Sequence, residues 1–367
     1  MRLVYLADAP YVHTRRWVEH FARIGWETHV ISFRPAEIEG AQVHYVNGLE
    51  RAGKLRYLAQ AGRVRRLVQE LQPDLLHALH LTSYGFLGAL CRARPLVTSV
   101  WGIDVLKAPR RTPLHGFITR YALAHADHVT ATGMRLAGAT LRYAPREKPV
   151  TVVPYGIDLT RFRPLPRNDV SADGIVVGSV GRLSPEKGLD VLLRAAGRLI
   201  EGGTRLRLVL AGDGPERGRL ARLTERLGIS ERVDFRGDVP HEQVPTVLAA
   251  LDIFVMPSRA EGFGVAALEA QAMELPVIAS RVDGLPDVVE DERTGLLVPA
   301  GDADSLADAI SRLADDPALR STMGRAGRAF VEQRYRWEEN VAQMERLYQH
   351  LLAEFTPGGP RATVAGN

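Results

Sequence analysis

The sequence predicts an α/β protein of two domains, each a parallel sheet covered by helices on both faces. Three observations carry that prediction. At 367 residues the chain is too long for one ordinary domain and suits two of roughly 150 to 200 residues. Short apolar runs alternate with amphipathic stretches along most of its length, which is the wiring of βαβ units. The segment "TRFRPLPRNDVSADG" (160–174) interrupts the alternation with two prolines, turn formers and no apolar periodicity, and reads as a linker.

The first series opens with a strand at 2–7, "RLVYLA". A helix follows at 13–25, with Trp17, Phe21 and Ile24 on one face and Gly25 as its stop, and then a strand at 27–33. Further elements follow: a helix over 52–71, the strand "LLHAL" (75–79), a helix near 84–92, the strand "PLVTSVW" (95–101), a helix over 113–125, the strand "HVTAT" (128–132) and "PVTVVPYGID" (149–158). The second series begins with the strand "IVVGSVGRL" (175–183) and the helix "GLDVLLRAAGRLIEG" (188–202). It continues through "LRLVLAGDG", "PERGRLARLTERLG", "RVDFRG", "HEQVPTVLAAL", "IFVMPS", "PVIAS", "GLLVP" and "DSLADAISRLADD" to a long helical region broken near "YRW" (335–337). The expected domains are 1–165 and 170–340, with a final helix at 341–356 packing back on the first domain and 357–367 as a disordered tail. In parallel sheets of this kind ligands bind at the carboxyl ends of the strands.

Hydrophobic content of 46% and charged content of 25% are those of a globular protein, and no apolar run reaches the ~18 residues of a spanning helix. "MRLVYLADAPYVH" reads as a buried first strand and not as a signal peptide, so the expected location is the cytoplasm. Cys91 is the only cysteine, which excludes an internal disulfide and a cysteine-cluster metal site. The net charge of +4 divides unevenly: 23 basic and 12 acidic residues stand in 1–165, against 24 and 31 in 166–367. A basic first half suits an anionic partner or an anionic membrane surface, and peripheral contact at the inner face of the membrane is one expectation. Its charge concentrates in 51–68 and 106–120 with apolar residues between, and no nucleic-acid-binding motif accompanies it.

The chemistry concentrates in the second half. "SRAEGFGVAALEAQA" (258–272) sets Glu261 and Glu269 on either side of Gly-Phe-Gly in a stretch otherwise apolar enough to be core. A carboxylate buried there needs a partner, from the fold or from a ligand. Gly181-Arg182 ends a strand, and Lys187 stands where the next helix begins, so an arginine and a lysine converge on a positive helix end suited to a diphosphate. The chain has four lysines against 43 arginines, so a lysine here departs from background usage. "AGDGPERG" (211–218), with Gly212, does not match G-x-G-x-x-G and reads as a tight turn into a helix. Gly262 and Gly264 let backbone N–H groups approach a ligand at the next helix start, and a carboxylate accepts two hydrogen bonds side by side, the geometry of a vicinal diol.

"VGSVGRLSPEKGLDVLLRAA", "LVLAGDGP", "VDFRGDVP", "DIFVMPSRAEGFGVAALEAQAMELPVIAS" and "GLPDVVEDERTGLLVPAGD" resemble, in order, the motifs of family-4 retaining glycosyltransferases, over most of residues 175–300. The resemblance implies a GT-B architecture, two Rossmann-like parallel-sheet domains facing each other across a cleft, and transfer of a hexose-type sugar from a nucleotide-diphosphate sugar to an acceptor hydroxyl. It implies that Arg182 and Lys187 hold the diphosphate, Glu269 the ribose hydroxyls, and Glu261 the sugar hydroxyls at C3 and C4. Backbone groups of Gly262, Phe263 and Gly264 would contact the sugar, Val265 the phosphate, and Gly181, Gly212 and the strand end Phe235-Arg236-Gly237 would border the nucleotide. Arg182, Lys187 and Glu261 form the catalytic set. A UDP- or GDP-sugar is the expected donor, and the acceptor is a hydroxyl compound, lipid-linked or anionic among the options.

The first domain departs from the family pattern. The loop "DAPYVHTRRW" lacks the glycine pair that receives the donor phosphate in many members, which leaves His13, Thr14 or Arg15 to substitute or to read the acceptor. "SVWGID" stands where many members carry a histidine; Trp101 is read as stacking on a sugar or as core, and Asp104 as holding an acceptor hydroxyl or capping the next segment. His77 and His80 lack a third ligand, and "DAD" (302–304) is explained by helix capping, so neither a metal nor another cofactor is expected. Two other classes compete: a GT-B-fold nucleotide-sugar 2-epimerase, separated by incubation with the donor alone, and a non-catalytic sugar-nucleotide-binding protein, disfavoured because the donor set is complete.

Overall fold

The computed structural model describes residues 1–47, 59–165 and 174–355. The chain forms two compact units: Met1–Pro154 with Glu339–Asn367, and Tyr155–Glu338.

The first unit is a seven-stranded sheet in the order β3-β2-β1-β4-β5-β6-β7. Its strands are β1 (Arg2–Leu6), β2 (Glu27–Ser32), β3 (Ala41–Tyr45), β4 (Leu75–Leu79), β5 (Leu96–Val100), β6 (His128–Ala131) and β7 (Val150–Val152). Every pairing is parallel. The helices are α1 (Val12–Arg23), α2 (Ala61–Leu71), α3 (Phe86–Cys91), α4 (Ile103–Leu106), α5 (Pro113–His125) and α6 (Met134–Leu141). β3 and α6 have no counterpart in the sequence reading: β3 is a half-exposed edge strand without apolar alternation, and α6 is short. Of the basic stretch 51–68, residues 51–58 lie outside the described residues.

The second unit is a six-stranded parallel sheet in the order β10-β9-β8-β11-β12-β13. Its strands are β8 (Ile175–Val180), β9 (Leu206–Ala211), β10 (Val233–Gly237), β11 (Ile253–Met256), β12 (Val277–Ser280) and β13 (Gly295–Val298). Its helices are α7 (Leu189–Glu201), α8 (Arg217–Arg226), α9 (Val244–Ala249), α10 (Val265–Ala272), α11 (Leu285–Val288), α12 (Ala303–Asp315) and α13 (Pro317–Arg334). Val177, Leu192, Leu208, Ile253 and Ile278 lie in one continuous core. Asp302 caps α12, its carboxylate accepting from the N–H groups of Asp304 and Ser305, which accounts for the "DAD" triplet.

The units divide at Tyr155, ahead of the linker read at 160–174, so residues 155–165 fold with the second unit. Ile157 N–H donates to Tyr335 O at 2.7 Å and Trp337 N–H to Ile157 O at 3.1 Å, which ties the segment to the end of α13. α14 (Trp337–Phe355) follows the break at Tyr335 and, from Glu339, belongs to the first unit. There the ring of Tyr348 stands 5.0 Å from Phe21, its hydroxyl bonds the buried His77, and Gln343 Nε2 donates to Val152 O at 2.9 Å. The tail at 357–367 lies outside the described residues.

Candidate functional site

Each sheet has one point where the strand order reverses direction, and there the loops leaving adjacent strands part to form a crevice. In the second unit that point lies between β8 and β11. β8 delivers Gly181 and Arg182, and β11 delivers Pro257 and Ser258. A small pocket between these loops is lined by Gly181, Arg182, Lys187, Pro257 and Ser258.

The loops interlock through backbone. Arg259 N–H donates to Glu186 O at 2.7 Å, and Gly188, with φ +63°, sits so close to β11's loop that a Cβ would stand 2.1 Å from Pro257 O. Arg259 also clasps Asp190 with both guanidinium nitrogens, at 2.7 and 2.8 Å, and this bond holds the Asp190 carboxyl below its ordinary range. Lys187 is thereby set against Glu261, Nζ to Oε2 at 2.6 Å, with Ser258 Oγ donating to the same oxygen at 3.4 Å. Glu261 N–H in turn donates to Asp283 Oδ2 at 3.0 Å.

Gly181 and Gly212 also meet, a Cβ on Gly212 falling 2.0 Å from Gly181 O. Gly212 N–H donates to Gly237 O at 2.7 Å, so "AGDGPERG" is a close approach of the ends of β8, β9 and β10. Phe235 lies under the Arg217 guanidinium at 5.7 Å, and Arg236 pairs with Asp234. The "GFG" segment places Gly264 in the left-handed region at φ +101°, at the N-terminus of α10, while the Phe263 ring is buried against Tyr155 and Tyr335 at 5.9 and 5.7 Å. Val265 opens α10, whose first N–H groups have no partner in the helix. Ser184 Oγ, beside Lys187's turn, is buried with no hydrogen-bond partner among the described residues.

Glu269 is 5% exposed, on the second turn of α10. His241 Nε2 lies 2.8 Å from its Oε1, and Arg161 Nη1 lies 3.2 Å from His241 Nδ1. Arginine has only donors, so Nδ1 accepts and Nε2–H donates to the carboxylate. Of the two sources of a partner that the sequence left open, the fold supplies one for each glutamate: Lys187 for Glu261 and His241 for Glu269. Neither His241, Arg161, Asp283 nor the Arg259–Asp190 clasp was legible in the sequence. Their partners lie between 22 and 80 residues away along the chain.

In the first unit the reversal lies between β1 and β4. α1 starts here, and Thr14 in its first turn is fully buried with Oγ1 unpaired among the described residues. His13 is buried at the same helix end, whereas Arg15 turns along the helix to Glu19 at 3.5 Å. The rings of Tyr11, His13 and Trp101 gather, Tyr11 standing 5.2 Å from His13 and 5.5 Å from Trp101. Tyr11 is an addition to the sequence reading. Asp104 is taken up by the fold: its carboxylate accepts from Leu81, Trp101 and Gly102 N–H at 3.0, 3.2 and 2.7 Å, so it caps and joins loops. His77 bonds Ser99 Oγ at 2.7 Å and the Tyr348 hydroxyl, and His80 bonds Ser83 Oγ at 3.0 Å.

Residues 165–330 match the family model of the glycosyl transferases group 1, and residues 2–133 that of the glycosyl transferase 4-like proteins. The D-inositol 3-phosphate glycosyltransferase of Saccharomonospora viridis is 35% identical over 310 residues, 77% of this chain and 71% of the relative. The GDP-mannose-dependent alpha-(1-6)-phosphatidylinositol monomannoside mannosyltransferase of Mycolicibacterium smegmatis is 33% identical over 310 residues, 78% of this chain and 79% of the relative. Among solved structures, the sucrose-phosphate synthase of Thermosynechococcus elongatus superposes with a TM-score of 0.85 at 25% identity, over 96% of this chain and 99% of that one. Sequence motifs, two parallel sheets and relatives agree: the chain belongs to the glycosyl transferases group 1, the family-4-type glycosyltransferases of the GT-B fold.

Proposed function

We propose that this glycosyltransferase moves a hexose-type sugar from a nucleotide-diphosphate sugar to an acceptor hydroxyl with retention at the anomeric carbon. The observation that carries the proposal is the Lys187–Glu261 pair beside Gly181 and Arg182 at the strand-order reversal of the second unit. Arg182 and Lys187 take the diphosphate, and the open N–H groups at the start of α10 add to them. Glu261 turns its carboxylate to the sugar hydroxyls and Glu269 to the ribose. The relative from Mycolicibacterium smegmatis is named for GDP-mannose, which supports a nucleotide sugar as donor.

The bond from the anomeric carbon to the diphosphate oxygen breaks as the bond to the acceptor oxygen forms on the same face. The acceptor proton passes to the departing diphosphate oxygen, and Arg182 and Lys187 stabilise the charge that develops there. Both site glutamates are engaged by basic side chains, which favours this route over one with a free carboxylate nucleophile. Sheltering the donor from water would limit its hydrolysis.

A thermal-shift screen with UDP-, GDP-, ADP- and dTDP-sugars names the donor, since a ligand of the native state raises the melting temperature. NMR of the product formed with that donor then reads the anomeric configuration. No shift with any donor, or an inverted product, would overturn the proposal.

A further inference from the structure

α5 carries two large apolar side chains on its outer face. Its inner face buries Gly116, Thr119, Ala122 and Leu123, yet Leu114 and Phe117 are 60% and 59% exposed. On α6, Met134 is 72% exposed and Leu141 50%. The Arg120 guanidinium lies 5.5 Å over the ring of Tyr143, which brings the middle of α5 beside the end of α6. Exposed apolar side chains beside basic ones on a helix suit insertion into a headgroup boundary.

Along this stretch of chain the charge is mostly of one sign, and the exposed Glu147 follows its last arginine. Residues 105–146 contain seven basic residues, Lys107, Arg110, Arg111, Arg120, Arg135, Arg142 and Arg146, all exposed, and one acidic residue, Asp127. Asp127 is engaged by Arg94 and does not offset them. We propose that this face of the first unit docks on an anionic lipid bilayer, with Leu114 and Phe117 entering the headgroup boundary and the arginines meeting lipid phosphates. The proposal stands on the surface alone and is independent of the transferase reading.

The test is sedimentation of the full chain with vesicles of phosphatidylcholine alone and of phosphatidylcholine with about a third phosphatidylglycerol. The expected result is binding to the anionic vesicles only, weakening as salt rises. Arg110→Glu/Arg111→Glu lowers that binding by roughly 10-fold or more, and Leu114→Ser/Phe117→Ser lowers it without removing the salt dependence. Both variants keep the wild-type circular dichroism spectrum and melting temperature, which separates lost docking from lost folding. A wild-type protein that stays in the supernatant with anionic vesicles, as it would if the face received an acidic protein instead, overturns the proposal. So do variants that bind as the wild type does.

Discussion

Lys187 and Glu261 lie 74 residues apart in the chain and 2.6 Å apart in space. Two loops of different βα units produce that contact, and Gly188 is the residue whose missing side chain lets them close. The ammonium and carboxylate are half-buried, so solvent and salt screen the pair less than an exposed one.

If the pair acts as one unit in transfer, its losses do not add. Lys187→Ala and Glu261→Ala should each lower kcat/KM by on the order of 10²–10³, and the double variant by little more. The circular dichroism spectrum should not change. Wild-type rates in both single variants would remove the site from the reaction.

His241 should act through Glu269. His241→Ala leaves the carboxylate without its donor, and KM for the nucleotide sugar should rise roughly 10-fold with kcat little changed. His241→Gln, whose amide can still donate, should restore most of the loss. Arg161→Ala, which frees the tautomer, should have a smaller effect of the same kind. An unchanged KM in His241→Ala contradicts the assignment.

Gly188→Ala and Gly203→Ala separate crowding from backbone strain. Both glycines are left-handed, at φ +63° and +91°, but a Cβ on Gly188 meets Pro257 O at 2.1 Å while one on Gly203 meets nothing within 4 Å. Gly203→Ala should cost about 1 kcal/mol of stability, and Gly188→Ala at least ~2 kcal/mol more. Urea unfolding measures both, and equal losses would deny the close loop contact.

Burial lowers the His77 pKa from its ordinary 6.5 to about 3. Between those values the unfolded chain binds a proton that the folded protein does not, so stability falls as pH drops below 6.5. His77 should contribute a loss of about 1.4 kcal/mol per pH unit in that window. His128, lowered by burial to about 4, adds a second such loss. His77→Gln should therefore reduce the slope by one proton's share and leave the rest; an unchanged slope in urea midpoints against pH would refute it.

The regular elements were legible because each is encoded locally. The pattern predicts a helix over 113–125, and α5 spans Pro113–His125, with proline at its start and Thr112 as its cap. Buried strands such as β8 and β11 announce themselves as apolar runs between turn residues. β3 and α6 escaped because an edge strand and a short helix bury little, and so carry little periodicity.

Sequence alone named the family motifs, the two-sheet architecture and the residues Arg182, Lys187, Glu261 and Glu269 as candidates. Which of them touch was settled by tertiary structure. The turn before α7 meets the loop after β11, His241 reaches Glu269, Arg161 reaches His241, and Asp104 turns into its own loop. The reason is physical: periodicity and turn chemistry are properties of neighbours in the chain. A hydrogen bond between loops depends instead on strand order, and the order β10-β9-β8-β11-β12-β13 arises only when the sheet assembles.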